Sequence, residues 1–320
     1  MLHESGLYGT VSGTGQWIGL VQEHDIAESI NTQEIRYAGQ ASRDVGTFVD
    51  TALDAKGKLK YYPQDFRMLA YTLGSCVDGG SPSPYTHVLT AVDSNAGNAF
   101  TSGTLNPFMS FTIEESVTSN VAGLNKVKTA NGCVIESFEL SSSQGGLMEV
   151  NVDYVAQSVT YSSGAATAVT ANTIRPLLWS DTKLHVVSGT LYSELRDWSF
   201  KASNSLNAPH YNNGSKVIAV PIPEDRKYEL NLTIDATSEK SKTIYDTYFK
   251  GGSTFNALLD ITCVDAGAGS RDCIITMSGC KLEGFEDPLK TTGVESQKLK
   301  IVPQTVTVAV NDVIFKYNPW

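Results

Sequence analysis

Five histidines (His3, His24, His87, His185, His210) and five cysteines (Cys76, Cys133, Cys263, Cys273, Cys280) are the side chains best suited to metal binding or nucleophilic attack. Their spacing serves neither. The histidines are scattered, with no Cys or carboxylate at ligand spacing, and Cys263, Cys273 and Cys280 match no usual zinc pattern. An odd, unevenly spaced cysteine set is also no disulfide framework. Gly13-x-Gly15-x-x-x-Gly19 misses the dinucleotide fingerprint by one residue and follows no strand pattern. There is no P-loop, no Gly-x-Ser-x-Gly elbow and no His-Glu-x-x-His helix. Glu114 and Glu115 could be imagined as an acid/base pair, but adjacent residues in a strand point to opposite faces. The reading is therefore no catalytic residue, no cofactor and no metal. One polar row stands out: Glu149, Asn151 and Asp153 alternate with Met148, Val150, Val152 and Tyr154, as in an antiparallel strand with one wet face.

The elements around that row carry the stronger signal. Gly132-Cys133-Val134-Ile135-Glu136-Ser137-Phe138-Glu139 returns as Gly279-Cys280-Lys281-Leu282-Glu283-Gly284-Phe285-Glu286, 147 residues later. Upstream of each copy lies Val-Asp-x-x-Ala-Gly (Val92 to Gly97, Val264 to Gly269), and before that a helix-like segment ending in glycine. The first is Pro63 to Gly74, with Phe66, Leu69, Ala70 and Leu73 on one face and Gly74 as the stop. The second is Ser241 to Gly251, with Ile244, Tyr245, Tyr248 and Phe249. Landmarks in one order predict a duplicated domain, with Cys133, Ile135, Cys280 and Leu282 as matching core positions.

A 320-residue chain accommodates two domains of roughly 150 residues. Charged residues make up 18%, below the usual ~25%, and the abundance of Ser, Thr, Asn and Gly suits sheets and turns. The net charge of −10 and the lack of a basic cluster argue against a phosphate-gripping protein. No apolar run approaches the ~20 residues of a membrane helix. The N-terminus has no basic head or apolar core, so synthesis in the cytoplasm is expected. The expected organisation is 1–160 as the first domain, a small-residue linker at 161–172, and 173–320 as the second. An insertion at about 98–124 carries Phe108, Met109, Phe111 and Ile113. Strands are expected at Glu34–Tyr37, Thr47–Val49, Tyr85–Val92, Leu147–Gln157, Val217–Pro221 and through much of the rest of the second domain. Asp54–Gly57 reads as a turn, Cys76–Pro84 as a loop and His210–Gly214 as a hairpin turn. Residues 1–20 read as a Gly-rich arm anchored by Trp17 and Ile18, and the aromatic C-terminus as a docked tail.

Several segments resemble the major tail tube proteins of long-tailed viruses of bacteria and archaea. They are Glu4-Ser5-Gly6-x-Tyr8-Gly9-Thr10, Trp17-Ile18-Gly19-Leu20-Val21, and Tyr62 through Tyr71. Phe111-Thr112-Ile113-Glu114-Glu115, Gly132 to Ile135, Val150-x-Val152-x-Tyr154-Val155-Ala156-Gln157, and Asn212 to Ser215 with Pro221-Ile222-Pro223 are also similar. The resemblance implies a mainly β protein with two tandem tail-tube-like sandwich domains. Each would have one flanking helix and lend strands to a barrel shared between subunits. It also implies a virion tail protein whose rings stack into the conduit for genome ejection, built as a pseudo-hexameric homotrimer where the domain is doubled and as a hexamer where it is single. Its partners would be itself, the tail terminator, tape measure and distal tail proteins, and double-stranded DNA in transit, with no membrane. On that reading Glu149, Asn151 and Asp153 face an acidic channel that repels phosphate. Trp17, Ile18, Phe108, Met109, Phe111 and Ile113 serve ring contacts. The alternative is a β-sandwich adhesin or carbohydrate-binding module, with Tyr85, Tyr161 and Trp198 along a groove.

Overall fold

A computed structural model describes residues 1–4, 8–9, 11, 15–37, 44–80, 84–92, 109–117, 125–186, 190–192, 194–212, 214–235, 243–265, 269–286, 296–312 and 317. The chain is mainly β. In order, its elements are β1 (Leu2–His3), β2 (Gly19–Ile35), β3 (Thr47–Pro63), α1 (Arg67–Leu73), β4 (Gly74–Gly79), β5 (Tyr85–Ala91), β6 (Phe111–Val117), β7 (Lys126–Ser142), β8 (Met148–Ala156) and β9 (Ser158–Ser162). There follow a 3-10 turn (Trp179–Asp181), β10 (Thr182–Val186), β11 (Thr190–Tyr192), β12 (Leu195–Asn207) and β13 (Ile222–Asp235). A π-helix (Ile244–Lys250), β14 (Phe255–Asp265), β15 (Gly269–Glu286), β16 (Ser296–Val302) and β17 (Thr305–Asp312) complete the set.

Eight strands form one antiparallel sheet in the order β2-β3-β8-β7-β12-β13-β16-β15. β7 and β15 are long and bent, and their first halves leave this sheet for a second layer. There β1-β6-β7-β9 form one part, and β4-β5-β17-β15-β14-β10-β11 the other. Buried side chains from both layers and from α1 join in a single hydrophobic cluster.

The bends sit at the repeated glycine–cysteine pairs. Gly132 and Gly279 have φ of +65° and +63°, a left-handed conformation that disfavours any residue with a Cβ. The following Cys133 and Cys280 are fully buried, and each thiol donates to the carbonyl three residues back, Ala130 at 3.3 Å and Met277 at 3.5 Å. Ile135 and Leu282 are buried next along each strand. The backbone N–H of Gln157 and of Gln304 closes each bend from the neighbouring turn, onto Asn131 and Ser278.

The same irregularities recur on both sides. The shift between Ile135 and Ser137 in β7–β8 matches that between Leu282 and Gly284 in β15–β16. The shift between Phe111 and Ile113 matches that between Phe255 and Ala257, against Cys133/Ala130 and Cys280/Met277. Both ends of the β2–β3 pairing are shifted where β12–β13 is shifted. Tyr71 of α1 meets Phe111 edge-on at 5.4 Å, as Tyr248 of the π-helix meets Phe255 at 5.0 Å. Bulges are specific local devices. The eight-stranded sheet thus carries matching irregularities in β2-β3-β8-β7, the first unit, and in β12-β13-β16-β15, the second unit.

Several local expectations change. Asp54–Gly57 is no turn but lies inside β3, which with β2 makes a long hairpin. The glycine there clears Tyr154, because a Cβ on Gly57 would stand 2.1 Å from Cζ of that ring. Cys76–Pro84 is not all loop: Gly74–Gly79 is β4, hydrogen-bonded to β5. Pro63 ends β3 and does not start a helix. α1 begins at Arg67, whose N–H bonds the Asp65 carboxylate at 3.0 Å, and ends at Gly74 with φ +89°. Val217–Pro221 is not a strand. β12 runs to Asn207 and pairs with β13 from Ile222.

Candidate assembly interface

The two outermost strands of the eight-stranded sheet, β2 and the second half of β15, have no strand on their outer side among the described residues. An open edge presents a row of unpaired backbone groups, which natural proteins cover or pair. Inside the chain the same kind of edge is already paired. β7 of the first unit meets β12 of the second, with Ser137 opposite Ser203, Phe138 opposite Ala202 and Leu140 opposite Phe200. Phe138, Leu140, Phe200 and Ala202 are all buried there, so the junction is sealed by apolar side chains on its core face.

The opposite face of this sheet is polar. Glu149, Asn151 and Asp153 stand on it, as the alternation of β8 requires. They are not a free acidic stripe. Lys60 Nζ lies 2.9 Å from Glu149 and Lys58 Nζ 3.8 Å from Asp153, both lysines on β3, and Asn151 donates to Glu149 at 3.3 Å. The hydrogen bond and charge of Glu149 raise the ammonium pKa of Lys60. In the second unit the signs are exchanged. Lys298 and Lys300 occupy the β16 positions matching Asn151 and Asp153, and they pair with Glu286, Glu229 and Glu283 at 3.7, 3.2 and 3.7 Å. The face is therefore a lattice of opposed charges. Exposed pairs of this kind add little stability, but they do neutralise the surface.

Four of the six residues expected at ring contacts are buried in the single chain. Met109, Phe111, Ile113 and Ile18 are core, with exposures of 1%, 0%, 4% and 5%. Trp17 is half-buried, and its indole N–H donates to Gln64 Oε1. Phe108 lies outside the described residues. The correction has a physical reason. β6 lies against the first half of β7, so its aromatic content fills the core beneath that bend. Exposed apolar side chains include Ile30, Phe48 and Val49 at the far end of the β2–β3 hairpin, each more than 40% accessible, and also Val77, Val117, Tyr161 and Val264 elsewhere. The aromatic groove of the adhesin alternative does not form from its named residues, because Trp198 is buried.

Two polar knots were not visible in the sequence. Glu4 is fully buried and accepts from the Gly132 N–H at 2.7 Å, Thr112 at 2.6 Å, Ser110 at 2.5 Å and the Gly9 N–H at 2.9 Å, which pins the N-terminal arm under the first bend. His87, set aside as isolated, is brought beside Cys76 and Asp78 across the β4–β5 ladder and beside Asp312 of β17. Its Nδ1 is 2.6 Å from Asp78 and its Nε2 3.2 Å from Asp312, and the Tyr317 ring stacks on it at 4.0 Å. Burial lowers the His87 pKa, but the hydrogen bonds and charges of Asp312 and Asp78 outweigh that and raise it to about 9. The two carboxylates favour the protonated ring, and Asp78 also accepts from the Tyr317 N–H. All five cysteines are buried. Burial pushes the Cys133 thiol well up and that of Cys280 to about 11, so neither is a ready nucleophile.

The model of the family described as "phage tail tube protein" matches residues 7–308. The chain belongs to the phage tail tube protein family. No curated protein matches the chain. A tail tube protein is a structural component of the virion tail, and an open, polar-faced sheet with two free edges is consistent with that role. No helix among the described residues is long and apolar enough to cross a membrane.

Proposed function

We propose that this tail tube protein is the ring-forming subunit of a long, non-contractile tail and carries a duplicated tube domain. Three chains would close a pseudo-hexameric ring, and stacked rings would make the conduit through which the genome leaves the virion. The observation that carries this reading is the repeated four-stranded unit with its irregularities in matching places. A contact that joins unit to unit head to tail closes into a ring when its rotation allows, and closure of a sheet removes its edges. In such a ring the polar face of the eight-stranded sheet lines the lumen. Lys58, Lys60, Lys298 and Lys300 on that face are engaged by Glu149, Asp153, Glu229, Glu283 and Glu286, which weakens their hold on passing phosphates. Passing DNA is not gripped. Tail terminator, tape measure and distal tail proteins would meet the ends and the interior of this tube.

Electron microscopy of the purified protein tests the reading. Rings or tubes with a central channel are expected as concentration rises. A chain that remains a discrete monomer, both alone and when seeded with tail tips, contradicts it.

A further inference from the structure

The repeat says more than that subunits meet, because the chain contains one worked copy of the junction. Phe138 corresponds to Phe285 and Ser137 to Gly284, at the spacing that relates Gly132 to Gly279. Through the paired rows His24–Leu59–Val152–Phe138 and Trp198–Leu232–Leu299–Phe285, Trp198 of β12 corresponds to His24 of β2. No register shift separates His24 from Glu28 or Trp198 from Ala202, so Ala202 corresponds to Glu28 and Ser203 to Ser29.

Resting on the assembly reading above, we propose that β15 pairs antiparallel with β2 of a second copy in the register of the β7–β12 junction. Gly284 then lies opposite Ser29, Phe285 opposite Glu28, and Glu286 opposite Ala27. Both partners are free at these positions. Among the described residues β3 is the only strand paired with β2 and β16 the only strand paired with Gly284–Glu286, while the Lys128 ammonium holds the Ile26 carbonyl, one residue outside the stretch. The faces agree: Phe285 packs on Tyr245 and Phe249 of the π-helix, on the core side, and Ile26 marks the core side of β2 as the one buried residue of that stretch. A slip of one residue would turn Phe285 to the wet face. A slip of two toward the start of β2 sets Glu286 opposite Asp25, and like charges directly opposite are destabilising. The proposed register sets no two like charges opposite each other.

Cysteine pairs read this register directly. Residues directly opposite are ~4.5–5.5 Å apart at Cα, within disulfide reach, whereas diagonal pairs stand at ~7–8 Å. In assembled rings under mild oxidation, the pair Glu28→Cys with Phe285→Cys is expected to give a ladder of covalent multimers. Ile30→Cys with Phe285→Cys is expected to give at least about tenfold less. Equal or greater yield from the shifted pair, in rings that microscopy shows to be formed, overturns the register and leaves the assembly reading standing. Hydrogen exchange on the unmodified protein removes any dependence on the variants. Alternate amides within 25–29 and 284–286 should slow by at least about tenfold on ring formation. Rings in which these amides exchange as in the monomer overturn the proposal, and a wild-type chain that forms no rings overturns the assembly reading and the register together.

Discussion

His87 shows how little a residue's surroundings follow from its neighbours in sequence. Asp78, Asp312 and Tyr317 reach it from β4, β17 and the C-terminal segment, so no local spacing announces them. Its folded pKa stands above the unfolded value near 6.5, so it contributes stability in full below pH 6.5. That contribution falls as pH rises through about 9. The shift corresponds to ~3 kcal/mol at most. Denaturant melts of the monomer should therefore show a loss between pH 7 and 10 that His87→Gln removes, while the variant is less stable at pH 7. An unchanged pH profile in His87→Gln would contradict the assignment. Glu4 is a second case. Glu4→Ala strips acceptors from the buried hydroxyls of Ser110 and Thr112 and from the Gly132 N–H. It should cost about 3 kcal/mol or more in urea melts, because unpaired buried donors lose their full desolvation energy.

At the scale of elements, legibility followed burial. β8, β12, β14 and β17 alternate because one face is covered, and that alternation is written in their side chains. The β2–β3 hairpin reads weakly for the converse reason: most of its residues are exposed on both faces in the single chain, so no face had to be apolar. β4 was hidden by its glycine and serine content, though its ladder to β5 is complete. The glycines at the two bends were legible as a repeat, but not as corners. Substitution tests them. Gly132→Ala and Gly279→Ala should each cost ~1–2 kcal/mol for the left-handed backbone. Gly132→Ala should cost more, since its Cβ would lie 2.7 Å from Gln157 Cβ and 2.9 Å from the Tyr8 ring, whereas at Gly279 the neighbour is the movable end of Gln304. Equal melting shifts would argue against this account of the bends. Phe200→Ala at the β7–β12 junction should cost ~3–5 kcal/mol, as for other fully buried aromatics.

On the proposed reading the β7–β12 pairing inside the chain stands for the junction between subunits, and β2 and the second half of β15 are the edges that would join neighbouring chains. A single-unit chain needs six copies to make a six-unit ring, and a chain holding two units needs half as many. The mixed-charge face fits the same proposal: acids on β8 in one unit and lysines on β16 in the other would keep the surface balanced around such a ring. Native mass spectrometry of isolated rings tests the central claim most directly. The account predicts three chains per ring. Six chains per ring would show that the internal repeat does not stand in for a subunit boundary, and would contradict it.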